Sequence, residues 1–310
     1  MHEPAVAHRE KASVVNTVRI YSQSIAVIGL ALLCSCATAP DGSAIIPASE
    51  LPADVVMNKE AGRGMGLLVK LRLENGQEFM CAVDTGSPDS LLPKSTEPIL
   101  GKLLGTRRFS TLESSNEMEN VYAAPKLYLG NAPLVTGSHI GTWDSSMGVL
   151  GMDCLRHYCI QLDFQAGKMR FLDSEHVNAA GLGKAFPLTA SRYAVIHHGG
   201  LFEQEGDELL IDTGCWYDGM ANSGLFQREF REQKAQSVPM LNGGVAAGFA
   251  CFPKCLWDGE TYANLIIRKG RPTLIGLRFL ARHQVTFDFP KGILYLKRTS
   301  GDALPPAGSP

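Results

Sequence analysis

The chain is built on an internal repeat. Phe79-Met-Cys-Ala-Val-Asp84-Thr-Gly-Ser87 and Asp207-Glu-Leu-Leu-Ile-Asp212-Thr-Gly-Cys215 are each an apolar strand running into a sharp Asp-Thr-Gly loop. Glycine is expected in such a loop for backbone angles that other residues resist. A second pair of matching segments follows in the same order. Gly148-Val-Leu-Gly151-Met-Asp-Cys-Leu155 leads to Ile160-Gln-Leu-Asp163-Phe164 and Gly167-Lys-Met-Arg-Phe-Leu172. Leu274-Ile-Gly276-Leu-Arg-Phe-Leu280 leads to Val285-Thr-Phe-Asp288-Phe289 and Gly292-Ile-Leu-Tyr-Leu-Lys297. Both sets read as apolar strand, glycine, one helical turn and hairpin. Asp84 and Gly151 are 67 positions apart, and Asp212 and Gly276 are 64 apart. Two motifs in one order at nearly one distance mark two copies of a single unit.

Weaker features agree. Glu97 to Leu104 and Gly224 to Gln236 are short helical candidates that follow each Asp. Gly130-Asn131 and Asp258-Gly259 are hairpin turns in matching places, and Asn75-Gly76 turns the alternating segment Leu67–Leu73 back toward Asp84. Thirty-two Gly and seventeen Pro favour turns and strands over helix bundles. The expected fold class is therefore all-β with short helices, in two lobes at 61–175 and 176–298.

This pattern resembles the aspartic proteases, specifically the retropepsin-like (retroviral-type) family in a bacterial form with both lobes in one chain. The resemblance covers nearly all of residues 61–298. It implies two pseudo-twofold-related lobes with a central cleft, and a site completed within a monomer. It implies Asp84 and Asp212 as the catalytic pair, acting on a peptide or protein substrate without cofactor or metal. Thr85 and Thr213 would bond across the lobe interface. Gly86 and Gly214 would let backbone N–H groups approach the carboxylates. Gly151 and Gly276 would pack behind the loops. A protein that keeps this fold but only binds peptide, or serves as an assembly lipoprotein, is the alternative.

The second copy departs from the family at Cys215. Ser87 is the usual residue after Asp-Thr-Gly, with a hydroxyl able to bond the acid pair, whereas a thiol donates weakly. The expectation is an unequal pair with Asp212 as the protonated partner. The substrate-covering hairpin is less legible. In the first lobe it should lie between Thr106 and Ala124, a stretch carrying Glu113, Glu117 and Glu119. In the second, Asn242-Gly-Gly-Val-Ala-Ala-Gly248 suits either a flap or a surface loop. Trp216 and Tyr217 suit either a cleft wall or the lobe interface. Trp143 and Trp257 are expected in the core, and His197-His198 on an exposed strand or turn.

The N-terminus resembles an export signal. Arg9, Lys11 and Arg19 precede the short apolar run Ile25–Leu33 and then Cys34-Ser-Cys36-Ala37. Residues 1–36 look like a bacterial lipoprotein signal with the lipid on Cys36, which places the protein in the cell envelope, anchored to a membrane and facing the periplasm. A plain secretory signal is the other reading. Residues 37–60 read as a linker and 299–310 as a tail. Setting Cys34 and Cys36 aside leaves six cysteines, with Cys251 and Cys255 the simplest local disulfide. The spacing Cys154-x-x-His157-x-Cys159 fits no common zinc pattern. A net charge of −2 argues against a nucleic-acid partner.

Overall fold

A computed structural model describes residues 54–111, 115–206, 208–239 and 245–299. The signal segment, Cys36, most of the linker, residues 240–244 and the tail from Ser300 lie outside them. The first half runs β1 (Val55–Val56), β2 (Leu68–Leu73), β3 (Glu78–Val83), β4 (Leu91–Pro93), β5 (Gly105–Ser110) and β6 (Ser115–Ala123). It continues with β7 (Leu127–Leu129), β8 (Ala132–Pro133), β9 (His139–Trp143), β10 (Gly148–Leu150), α1 (Met152–Leu155), β11 (Cys159–Asp163) and β12 (Lys168–Leu172). The second half runs β13 (Lys184–Ala190), β14 (Ala194–Ile196), β15 (Leu209–Asp212), β16 (Gly219–Ala221), α2 (Ser223–Glu232) and β17 (Gln236–Pro239). It ends with β18 (Val245–Trp257), β19 (Glu260–Lys269), β20 (Leu274–Gly276), α3 (Leu277–Leu280), β21 (His283–Asp288) and β22 (Ile293–Arg298).

The fold is all-β, with two large sheets of nine and thirteen strands. The repeat in the sequence becomes a repeat in the sheets. In the first half β3 lies parallel to β10, β10 antiparallel to β4, and β4 parallel to β9. In the second, β15, β20, β16 and β19 pair in the same way. β10 and β20 are buried at all three positions, as expected for strands covered on both faces. β2 instead buries alternate residues Val69, Leu71 and Leu73 and turns Lys70 outward. Asp258 and Gly259 take φ of 53° and 74°, the two left-handed positions of a tight hairpin turn, and set Trp257 opposite Glu260.

The closing hairpins of the two halves merge. β11 pairs antiparallel with β21, placing Ile160 against Phe287 and Leu162 against Val285. Gln161 Nε2 donates to Thr286 Oγ1 at 3.1 Å across this seam. One continuous apolar core runs from Val55 to Leu296, so the two halves are fixed by burial as well as by strand pairing.

Several expectations change. Residues 54–60 belong to the folded body and not to the linker. β1 pairs with β12, Met57 is buried, and the Asn58 amide bonds Gly66 O and Leu68 N. The first helical candidate is a 3-10 turn at Lys94–Ile99, with Pro98 inside it and Gly101 at φ 81° beyond it. The second is α2, capped by the Asn222 side chain accepting from Leu225 N, and it stops before Lys234, which takes φ 51°. Cys81, Cys154, Cys159, Cys215, Cys251 and Cys255 are all free thiols. Cys251 and Cys255 sit four residues apart on extended β18, roughly 13 Å, whereas a disulfide needs Cα atoms within about 7 Å. Among the described residues no helix is long and apolar enough to cross a membrane.

Candidate functional site

Each Asp-Thr-Gly loop begins where a central strand ends. Asp84 follows β3 and its N–H donates to Leu150 O at 3.0 Å. Asp212 closes β15 in register with Gly276. Within each loop the glycine N–H turns back on the carboxylate: Gly86 N to Asp84 Oδ1 at 2.8 Å, and Gly214 N to Asp212 Oδ1 at 2.9 Å. The loops also face each other crosswise. A Cβ on Gly86 would lie 2.5 Å from Asp212 Cγ, and one on Gly214 would overlap Asp84 Cγ as closely. These glycines are needed for space rather than for unusual angles, because neither takes a left-handed φ. Each carboxyl therefore lies directly against the loop that carries the other.

The threonines hold this arrangement from beneath. Thr85 N donates to Thr213 Oγ1 at 3.0 Å, and Thr213 N donates to Thr85 Oγ1 at 3.0 Å. Each hydroxyl then donates to the strand opposite: Thr85 Oγ1 to Ile211 O at 2.6 Å, and Thr213 Oγ1 to Val83 O at 2.7 Å. All four bonds are buried and link residues more than 120 positions apart. Buried polar groups satisfied in this way fix one geometry, since any shift leaves donors unpaired.

Behind the loops, Gly151 and Gly276 admit the backbone. A Cβ on Gly151 would lie 2.5 Å from Asp89 O, and one on Gly276 would run into Tyr217 O and the Cys215 sulfur. Met152 N and Leu277 N donate to Ser87 O and Cys215 O at 2.8 and 2.7 Å. Ser87 Oγ does not reach the carboxylates. It donates to Asp89 O at 2.8 Å, and Cys215 Sγ makes the equivalent, longer contact of 3.9 Å with Tyr217 O. Both side chains brace their own loop.

The pair is electrostatically unequal for a different reason. Burial drives the Asp212 carboxyl well above the ordinary carboxylate range, and the neighbouring Asp84 charge adds to this. Burial also raises Asp84, but N–H groups of Gly86, Ser87 and Gly214 and the Asp212 carboxyl stabilise its charge. Both carboxyls are thus held above the ordinary carboxylate range by burial, and the titration belongs to the pair rather than to either residue. Asp212 is buried, while Asp84 is half-buried at the floor of the cleft.

That cleft measures about 1250 Å3 and opens between the two halves. The hairpin β5–β6 contributes Arg107, Arg108 and Phe109, and the second half contributes Tyr193, Leu210 and Trp216. Trp216 is 37 % exposed and stacks on Phe249 with centroids 5.8 Å apart. Tyr217 is buried, so this aromatic pair serves both the wall and the interior. Trp143 is a correction: it lines the cleft, its Nε1 donating to Met147 O at 2.9 Å, while Trp257 is buried in the core. Tyr122 is buried away from the cleft. His198 is half-buried against Phe186, Trp257 and Asp258.

The cleft residues that sequence reasoning overlooked are the arginines, Arg107 above all. The opposed charges Arg107 and Glu119 at cross-strand positions of a suspected hairpin were the available signal. Among the described residues, no group of three or more His, Cys, Asp or Glu side chains is placed to hold a metal ion. Comparison of the sequence with protein-family models and with curated proteins finds no match.

Proposed function

We propose that the chain is an aspartic endopeptidase of the retropepsin-like type, with both lobes in one monomer. The observation that carries this reading is the crosswise pairing of Asp84 and Asp212 at the floor of the interlobe cleft. Two carboxyls sharing one proton supply a base and an acid at the same point. Ionised Asp84 takes a proton from a water molecule as the water oxygen bonds to the carbonyl carbon of the substrate. Asp212 donates its proton to the carbonyl oxygen, giving a tetrahedral diol. Collapse of the diol breaks the C–N bond, the nitrogen leaves with the proton held by Asp84, and Asp212 recovers its own.

A cleft of about 1250 Å3 lined from both halves suits an extended peptide, held by strand-like backbone hydrogen bonds with side chains in alternating pockets. Trp216 and Tyr193 offer apolar faces to such side chains. The Cys34-Ser-Cys36 segment supports export and a lipid anchor on Cys36, with the cleft facing envelope polypeptides. The test is cleavage of a diverse peptide mixture by protein starting at Ala37, across acidic to neutral pH, beside Asp84→Asn and Asp212→Asn. Cleavage abolished by either substitution is the expected outcome. Folded protein that cleaves nothing at any pH, yet retains a peptide in the cleft, overturns it in favour of a peptide-binding protein.

A further inference from the structure

The cleft-flanking hairpin β5–β6 and strand β18 of the second half are tied down in chemically different ways, both through the residue five places after an Asp of the pair. In the first half that residue is Asp89. Its carbonyl is held by Ser87 Oγ, and its carboxylate pairs with Arg107 of β5 at 2.8 Å. Arg107 has a second arm, because its Nε donates to the carboxylate of Glu119 on β6. Glu119 is 1 % exposed, and its Oε2 has no hydrogen-bond partner. It fits because Gly141 on the neighbouring β9 has no side chain to fill the same space. The Glu119 arm thus ends on a buried carboxylate, while the Asp89 arm joins side chains that are 45 % and 39 % exposed. In the second half the equivalent residue is Tyr217. It packs edge-on to Phe249 of β18 at 5.0 Å, and Trp216 stacks on the same ring.

We propose that Arg107 is the positioning residue for the first-lobe hairpin: anchored through Glu119, it latches β5–β6 over the paired carboxylates by its exposed bond to Asp89, and release of that bond admits substrate. A buried charge stays with its partner because an unpaired carboxylate is costly, so the Glu119 arm persists when the hairpin moves. An exposed ion pair is weak and salt-sensitive, which makes the Asp89 arm the one that breaks. The tie of β18 is ring packing rather than an exposed ion pair, so that strand should not share the response of β5–β6. This inference rests on the peptidase reading for its consequence but not for its structural content.

The test is amide hydrogen exchange on the full-length protein, following residues 105–110 and 115–123 against 249–257. In Asp89→Asn, which leaves the Glu119 arm intact, exchange in the first hairpin should rise about two- to fivefold, the scale of one exposed ion pair. Exchange in β18 should not change. Raising salt to about 0.5 M should bring the natural protein toward the same exchange rate and leave the variant unmoved. In cleavage assays KM should rise by the same factor with kcat preserved, the pattern of lost substrate binding without lost chemistry. Unchanged exchange in the variant and across salt, or equal acceleration in β5–β6 and β18, overturns the proposal. Exchange as expected in a protein that cleaves nothing sustains the latch and overturns only the peptidase reading.

Discussion

The two lobes follow one path but use different chemistry at matched positions. Six residues after each Asp, a buried side chain meets the residue two places after the supporting glycine. In the first lobe Ser90 Oγ donates to Asp153 Oδ1 at 2.7 Å and accepts from Gly151 N at 3.0 Å. In the second, Asp218 takes that place, bonded by Arg278 Nε at 3.0 Å, by Arg282 at 3.3 Å and by Ile266 N at 2.7 Å. One lobe braces its loop with a neutral hydroxyl, the other with a fully buried ion triad. The parts shared between lobes, namely the paired glycines and threonines, kept their chemistry, because each contacts its counterpart across the interface. The parts internal to a lobe were free to diverge, because any pair that satisfies its own polar groups supports the loop equally well.

This contrast breaks first at the braces. Asp218→Asn should destabilise the protein by about 3–5 kcal/mol, since it removes the buried counter-charge shared by two guanidinium groups. Ser90→Ala should cost about 1–3 kcal/mol, the scale of leaving buried hydrogen-bond partners unsatisfied. Chemical denaturation of both variants measures the gap, and equal losses would remove the distinction. Where the lobes touch, by contrast, substitutions should act alike. Gly86→Ala and Gly214→Ala each push a methyl into the opposite carboxylate and should lower cleavage at least about a hundredfold, the usual result of misplacing reacting groups by an ångström.

The acid pair gives a subtler asymmetry. Both carboxyls sit above their unfolded values, so the native state binds more protons than the unfolded chain. Their contribution to stability is fully present below about pH 4, the ordinary carboxylate value, and is lost as pH rises through the folded values. Asp212→Asn cannot ionise. It should raise the melting temperature at neutral pH by several degrees and flatten this loss, although it abolishes cleavage. Asp84→Asn should gain less, because the Asp84 side chain is only half-buried and its ionised form is less desolvated. Melting curves across pH 4 to 8 separate the two. The smallest effect belongs to Cys215→Ser. Its hydroxyl would strengthen the brace to Tyr217 O by about 0.5–1 kcal/mol and leave the pH–rate profile in place, because neither Cys215 nor Ser87 touches the carboxylates through its side chain.

What the sequence determined by itself was local or periodic. The apolar runs before Asp84 and Asp212, the glycines at 151 and 276, the one-turn helices, the Asp258-Gly259 turn and the doubled order of these features all follow from short-range patterns. A strand period of two or a pair of left-handed turn residues is imposed within a few residues. The tertiary structure decided what depends on distant chain meeting. The Thr85–Thr213 bonds span 128 positions. The reason Gly86 and Gly214 must be glycine appears only when each loop faces the other's carboxylate. Trp143 left the core for the cleft, and Arg107 gained a buried partner, through the way the hairpins lie on the sheet. The raised affinity of both carboxyls for a proton came from burial that no pattern of neighbours encodes. Contacts of this range are fixed by how two packed lobes share one core, and that packing is a property of the folded chain as a whole.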